Sequence, residues 1–493
     1  MQKKKEMKRM SVILNKYKSL PLMVKASIWF LICSFLQKGI AVITTPIFTR
    51  LFTTEEFGYY NVFISWEGIV SVIVSLNLFY GVYNQGLVKY EKDRNAFSSS
   101  MQGLTLFLLM VWYIVYFIFR KFFNSIFSLN TMYVTTMFFL IWFSAIFQFW
   151  ASDKRVDFSY KPLVIITIIY SLGSPILSIC FMSIFEDKVY GRLLGILIGS
   201  LVCYLWMFFE QVFKGKKLFS KKYWKHALKF NIPLIPHYLS QTVLNSSDKI
   251  MIEKIINASA AALYSLSYSL SLIMTLFNNA LSQTISPWMY KKIKNKEYNS
   301  IAPVAYSTLI IIAIVNILLI IFAPELVKFF APKEYYESIW VIPPVAMSVY
   351  FMYMYDLFAK FEFYFEKTKI IALATFISAI LNIILNYFCI SRFGYIAAAY
   401  TTLICYIIYT LAHYVFMRQV CINYCENVKP YNSKILLAIS ITFLVCGFMM
   451  MSLYKCFILR IIVIMLLLSI FVIKRNYIVD QIKNIISLKK KES

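Results

Sequence analysis

A lysine near the middle of an otherwise apolar run, in Phe35-Leu36-Gln37-Lys38-Gly39-Ile40, is the side chain with the most chemistry to explain. If that run crosses a bilayer, its ammonium costs on the order of 3 kcal/mol on insertion scales, so it must meet a partner or water. Two environments satisfy it: an ion pair with a carboxylate on a neighbouring helix, or a hydrated cavity that attracts anions. Glu67, in the next apolar run, is the candidate partner, or alternatively a site for a coupling proton or sodium ion. Arg50 ends the first run beside Thr49 and reads either as an interfacial anchor or as a second cavity cation.

Further along, Asn245-Ser246-Ser247-Asp248-Lys249 closes another run. Adjacent residues point in different directions around a helix, so one of Asp248 and Lys249 can face a cleft while the other faces headgroups. Asp356, in Met354-Tyr355-Asp356-Leu357, sits near a helix end, where snorkelling or capping accounts for it as well as ion coupling does. His237, after Pro236, reads as a satisfied hydrogen-bonding group rather than a proton relay. Lys38, Arg50, Asn245 and Lys249 are therefore the candidate substrate-binding groups, and Glu67, Asp248 and Asp356 the candidate ion-coupling groups. No GxxxxGK[ST] loop, HExxH or Cys/His cluster occurs. The nine cysteines are scattered, mostly in apolar runs, and Cys421 and Cys425 have the spacing of neither a zinc knuckle nor a redox pair. No catalytic residue, metal, cofactor or structural disulfide is expected. No loop is long enough to hold a catalytic domain.

The elements that position these groups follow from composition. Of 493 residues, 60% are hydrophobic and 15% charged, with a mean hydropathy of +0.68, against roughly a quarter charged in soluble domains. Apolar runs of ~20 residues, enough to cross ~30 Å of hydrocarbon, fall at about 26–48, 60–83, 101–119, 130–150, 162–184 and 190–213. A second group lies at 229–250, 260–286, 301–324, 338–358, 369–390 and 394–417, and a last pair at 435–454 and 457–474. The count is about fourteen, and the prolines Pro233 and Pro236 disrupt the start of the seventh. The N-terminus, Met1-Gln2-Lys3-Lys4-Lys5, does not lead into a cleavable signal.

A formal charge of +27 would suggest nucleic acid in a soluble chain, but here the cations lie in short loops between apolar runs. Alternate loops are strongly basic, notably Lys214, Lys216, Lys217, Lys221, Lys222 and Lys225, and then Lys291, Lys292, Lys294 and Lys296. The positive-inside rule places these loops and both termini in the cytoplasm. The longest basic loop, Phe213 to Trp224, divides the first twelve runs into two sixes. Arg50-Leu51-Phe52 with Gly58-Tyr59-Tyr60 is faintly echoed by Lys254-Ile255-Ile256 with Ala262-Leu263-Tyr264, at an offset of 204. The expected architecture is an all-α polytopic membrane protein with two six-helix lobes around a central cleft. The lobes cover residues 1–215 and 216–430, and two additional helices with a basic tail cover 431–493.

Several segments resemble Wzx-type polysaccharide flippases. Pro46-Ile47-Phe48-Thr49-Arg50-Leu51-Phe52-Thr53-Thr54-Glu55-Glu56-Phe57-Gly58-Tyr59-Tyr60 is similar to the end of their first helix. Phe230-Asn231-Ile232-Pro233-Leu234-Ile235-Pro236-His237 and Ser247-Asp248-Lys249-Ile250-Met251-Ile252 resemble their seventh. Asp153-Lys154-Arg155-Val156-Asp157-Phe158-Ser159-Tyr160-Lys161 fits their fourth-to-fifth loop. The likeness runs the whole length, within a superfamily that also holds MATE drug/cation antiporters and the lipid II flippase. It implies a bacterial cytoplasmic-membrane flippase that moves an undecaprenyl-pyrophosphate-linked oligosaccharide to the outer leaflet by alternating access, coupled to an ion or the membrane potential. The glycan polymerase and chain-length machinery are partners it implies; nucleic acid is not. The family has no fixed catalytic signature, so only the type of residue carries over: cavity cations, here Lys38 and Arg50. Two other readings stand beside it, a MATE-like antiporter, which should carry acidic cleft groups, and a membrane glycan polymerase or ligase, which should carry a large extracytoplasmic loop.

Overall fold

In the computed structural model, residues 22–463 and Met465 are described, and among them the regular structure is entirely helical. The helices are α1 (Leu22–Leu51), α2 (Thr54–Ser75), α3 (Gly81–Lys89), α4 (Arg94–Ile118), α5 (Arg120–Phe127), α6 (Thr131–Val156), α7 (Tyr160–Ile184), α8 (Lys188–Gly215) and α9 (Lys221–Asn231). They continue with α10 (Ile235–Ile255), α11 (Ala258–Ser271), α12 (Thr275–Lys294), α13 (Ile301–Phe330), α14 (Ile342–Tyr364), α15 (Thr368–Phe393), α16 (Ile396–Tyr424) and α17 (Ser433–Ser452). Twelve helical stretches among the described residues are long and apolar enough to cross a membrane, α11 and α12 forming one of them. The chain is an all-α, multi-pass membrane protein. Helix α10, expected as the seventh span, is long enough but carries Ser, Asn, Asp and Lys through its length and is not among the twelve. Most of the run expected at 457–474 lies outside the described residues.

The chain forms two compact units. One takes the residues up to Phe52 together with Trp66–Leu239, and the other takes Thr53–Ser65 and the chain from Ser240 onward. Helix α2 thus gives its first part to the second unit and its last part to the first.

The start of α2 shows why the Thr53–Tyr60 pattern folds as it does. Thr53 accepts from the Glu56 backbone N–H (3.2 Å) while Glu56 accepts from the Thr53 N–H (2.7 Å). This reciprocal capping box satisfies two otherwise orphaned donors. Phe57 packs edge-on to Tyr335, ring centroids 6.0 Å apart. Gly58 lies so close to the start of α11 that a Cβ there would sit 1.8 Å from the Ala258 carbonyl oxygen. Only glycine lets those two backbones approach.

The expected second span, 60–83, is a correction. Helix α2 stops at Ser75, because Leu76 and Asn77 adopt left-handed backbone (φ 50° and 49°), and the chain turns before α3. The turn is held by Leu78 N–H to the Ser75 carbonyl (3.1 Å) and by Asn231 donating to the Leu76 carbonyl (2.7 Å). Its side chains Leu78 and Phe79 are buried with Tyr83, Phe97 and Phe149, so hydropathy alone reads straight through the break. Pro233 and Pro236 act as expected: a short 3₁₀ turn, Ile232–Leu234, separates α9 from α10.

Within the first unit, α7 and α8 are in close contact, with Gly195 lying where a Cβ would meet the Ser178 backbone at 2.3 Å. Small residues allow this approach, and membrane helices associate by packing because lipid removes the hydrophobic drive between them. The other face of α7 exposes Ile165, Ile169, Leu172 and Ile176, a 4-3-4 spacing that makes one lipid-facing stripe. In the second unit, Tyr264, Tyr335, Tyr350, Phe358 and Phe361 are fully buried. Helix α17 joins that core through a Tyr350–Ser440 hydrogen bond (3.1 Å) and a Tyr350–Phe443 ring contact (4.4 Å).

Candidate functional site

Four helices of the second unit converge on Asp248. Its helix, α10, is too polar to be filler, and the residues that make it polar are the ones used. Asp248 is 1% exposed. Its Oδ2 accepts from the Tyr264 hydroxyl of α11 (2.5 Å) and from the Thr402 hydroxyl of α16 (2.9 Å). Its Oδ1 accepts from the Asn386 amide of α15 (2.5 Å). Asn386 also donates to Asn382 Oδ1 (3.1 Å), accepts from the Thr401 hydroxyl, and Ser247 donates to the same Asn382 oxygen (3.1 Å). Among the described residues no cation lies within ion-pairing distance of Asp248.

Removing a carboxylate from water is costly unless hydrogen bonds or a counter-charge replace the lost hydration. Here three donors supply the hydrogen bonds, while the nearest cation, Lys249, acts on the carboxylate only from beyond ion-pairing distance. Around the carboxylate stand the amide oxygens of Asn382 and Asn386 and the hydroxyls of Thr401, Thr402 and Ser247, all buried. The Asn382 amide nitrogen is buried without a partner. Carboxylate, amide and hydroxyl oxygens suit a hard cation or a proton, and the buried thiol of Cys405 lies beside Asn382.

Lys249 follows Asp248 but points elsewhere, as adjacent helical positions must. Its ammonium sits 5.4 Å from the centroid of the Tyr268 ring, and Tyr268 donates to Asn245 Oδ1 at 3.4 Å. Asn245, Asp248 and Lys249 are thus brought together on one helix, against Tyr264 and Tyr268 of α11, whose rings stack 5.5 Å apart.

The other expected residues are not members of this cluster. Lys38 is exposed on α1 and makes no ion pair with Glu67 among the described residues. Glu67 is half-buried in α2, in the other unit from Asp248. Arg50 donates to the Pro46 carbonyl of its own helix (2.8 Å). Asp356 pairs with Lys360 one turn on, and Ser282 of α12 links the two, donating to Asp356 (2.6 Å) and accepting from Lys360 (3.0 Å).

The charged stretch at the end of α6 has a structural task in the first unit. Asp153 accepts from Arg94 (3.5 Å), Ser98 (3.4 Å) and Gln211, tying α6 to α4 and α8, and Arg94 also reaches Asp157 (2.5 Å). Sequence reasoning passed over Asn382, Asn386, Thr401 and Thr402. The signal was present: Asn382 and Asn386 recur at i,i+4 inside an apolar run, and such polar pairs in membrane helices bond to other helices.

Residues 23–293 match the family described as polysaccharide biosynthesis protein. A Haemophilus influenzae protein named Lsg locus putative protein 1 is 26% identical over 208 residues, 40% of this chain and 51% of that protein. An uncharacterized membrane protein of the same organism is 22% identical over 378 residues, 73% of this chain and 88% of its own. The chain therefore spans about half the length of the first relative and most of the second. Among solved structures, the lipid II flippase MurJ in an inward closed conformation superposes with a TM-score of 0.69 at 17% identity, covering 92% of this chain and 100% of that one. An inward-facing multidrug resistance MATE family transporter of the MOP superfamily gives 0.61 at 11% identity, covering 81% and 96%. At these identities the structures share the fold.

Proposed function

The chain belongs to the polysaccharide biosynthesis protein family and has the MOP transporter fold, and from that premise we propose that it is a flippase for lipid-linked oligosaccharide. Family and fold are those of transporters rather than enzymes. The cargo we assign is an undecaprenyl-pyrophosphate-linked repeat unit, moved from the cytoplasmic to the outer leaflet of a bacterial cytoplasmic membrane by alternating access. Unaided transfer is prohibitive, because the pyrophosphate charge and the sugar hydroxyls would lose water with nothing in return. Lys38 and Arg50 are the cations proposed to meet the pyrophosphate. The charge pattern supports a cytoplasmic side for the basic loops and both termini.

Coupling is assigned to Asp248. The observation that supports it is a buried carboxylate with three hydrogen-bond donors and, among the described residues, no cation within ion-pairing distance. A proton or a small monovalent cation would supply the missing charge, and its arrival and departure would bias the packing of α10, α11, α15 and α16. That buried acid also favours the second reading, a MATE-like cation antiporter.

A deletion strain separates the readings. Complete lipid-linked repeat units trapped on the cytoplasmic leaflet support the flippase. Glycan that reaches the outer leaflet unpolymerised, or unchanged glycan with altered sensitivity to cationic drugs, overturns it.

A further inference from the structure

A titratable pair is sealed in the same unit, between the last part of α14 and the later part of α16. His413 and Glu362 are both fully buried. The imidazole Nδ1 lies 2.8 Å and 3.0 Å from the two carboxylate oxygens. Nε2 is buried too, and has no partner. Aromatic rings close the pocket: Tyr355 stacks at 5.4 Å, Tyr409 meets the imidazole edge-on at 4.5 Å, and Phe416 lies at 6.4 Å.

Few other charges bear on the pair. On α14, Asp356 and Lys360 neutralise each other with Ser282 of α12. The Tyr409 hydroxyl is engaged with Thr375 of α15 at 2.9 Å. Among the described residues no other charged group is within ion-pairing distance of Glu362 or His413. With one fewer proton the pair is a lone buried anion, which is costly. One bound proton makes it neutral overall, either as imidazolium with carboxylate or as imidazole with carboxylic acid. In both neutral forms Nε2 carries a hydrogen with nothing to accept it, at a cost of about 1–3 kcal/mol.

A rigid strut would not be built that way, and the first unit shows the alternative. There the carboxylate that links the fourth and sixth long helices, Asp153, takes Gln211 and the permanently charged Arg94 as partners. The second unit makes the same link, between α14 and α16, with a titratable imidazole.

We propose that Glu362 and His413 form a proton-binding site, which holds one proton while α14 and α16 are closed on each other and releases it when water reaches Nε2. This goes beyond the role given to Asp248, and it does not depend on the cargo. The two sites share a helix: Thr402 and His413 are about 16 Å apart along α16 at 1.5 Å per residue, so a proton at one end can bias the cation at the other.

The test is ¹⁵N-histidine NMR of the full chain in lipid nanodiscs from pH 5 to 9. The sequence has three histidines, His226, His237 and His413, so the H413Q spectrum assigns the signal. If H413Q does not fold, H226Q/H237Q leaves His413 as the one histidine observed. The expected result is a His413 signal that changes protonation state across the range, with its midpoint lowered by at least one pH unit in E362Q, a tenfold loss of proton affinity. A His413 signal constant from pH 5 to 9 while His226 titrates overturns the proposal, as does a midpoint indifferent to E362Q.

Discussion

Two substitutions at Asp248 separate the tasks of its carboxylate. In Asp248→Ala, the Tyr264 hydroxyl, the Thr402 hydroxyl and the Asn386 amide all lose their acceptor. Thr402 can turn its hydroxyl back to a carbonyl of its own helix, which leaves two buried donors unmet. At about 1–3 kcal/mol each, the loss is about 2–6 kcal/mol. Asp248→Asn is isosteric. Its amide oxygen can still accept from Asn386, and its NH₂ then faces two hydroxyls, each able to rotate and accept. The Tyr264 hydroxyl hydrogen still loses its acceptor, so the loss is about 1–3 kcal/mol, and the negative charge is gone. Thermal unfolding of the purified protein, with sodium exchanged for choline at constant ionic strength and at several pH values, reads both effects. A cation at a hundred times its Kd adds about 2.7 kcal/mol to the folded state. Wild type should gain such stabilisation from sodium or from falling pH. D248N should respond to neither and unfold below the unstabilised wild type, and D248A should unfold lower still. Retention of the full cation or pH response by D248N would refute the coupling role. Equal stability of D248A and D248N would refute the hydrogen-bond reasoning.

Gly58→Ala places a methyl 1.8 Å from the Ala258 carbonyl oxygen, backbone that cannot rotate away; a fall in folded yield and in unfolding temperature is expected, and an unchanged unfolding curve would contradict the close approach. Lys38→Ala should abolish or strongly reduce glycan translocation in a complemented deletion strain while inserting normally, and Lys38→Arg should keep part of the activity. Normal translocation by a fully expressed K38A protein would remove Lys38 from the proposed pyrophosphate contact.

The helices themselves were legible because hydropathy is a one-dimensional property. A run long enough to cross hydrocarbon must satisfy its backbone internally and so becomes a helix whatever its neighbours do. The break made by Pro233 and Pro236 at the start of α10 was legible for the same reason: its effect is local. What misled was also local information taken alone. Leu78 and Phe79 are as apolar as lipid-facing residues, yet they are buried against Tyr83 and Phe97, so the second run was read past its break at Leu76.

Asp248 could be singled out from the chain, because a carboxylate in a membrane helix is expensive wherever it points. Its partners could not, since Tyr264, Asn386 and Thr402 are 16, 138 and 154 residues away and nothing in the intervening sequence sets their register. Lys360, Glu362 and His413 escaped for a related reason: α14 continues to Tyr364, beyond the apolar run, and a lone histidine among aromatics shows nothing of what it faces. Composition and order thus determine that this chain is helical, spans a membrane many times and carries a few costly charges. Only the tertiary structure decides which of those charges are hydrogen-bonded, paired or left uncompensated, because that depends on which helix faces meet, a long-range property no local pattern encodes.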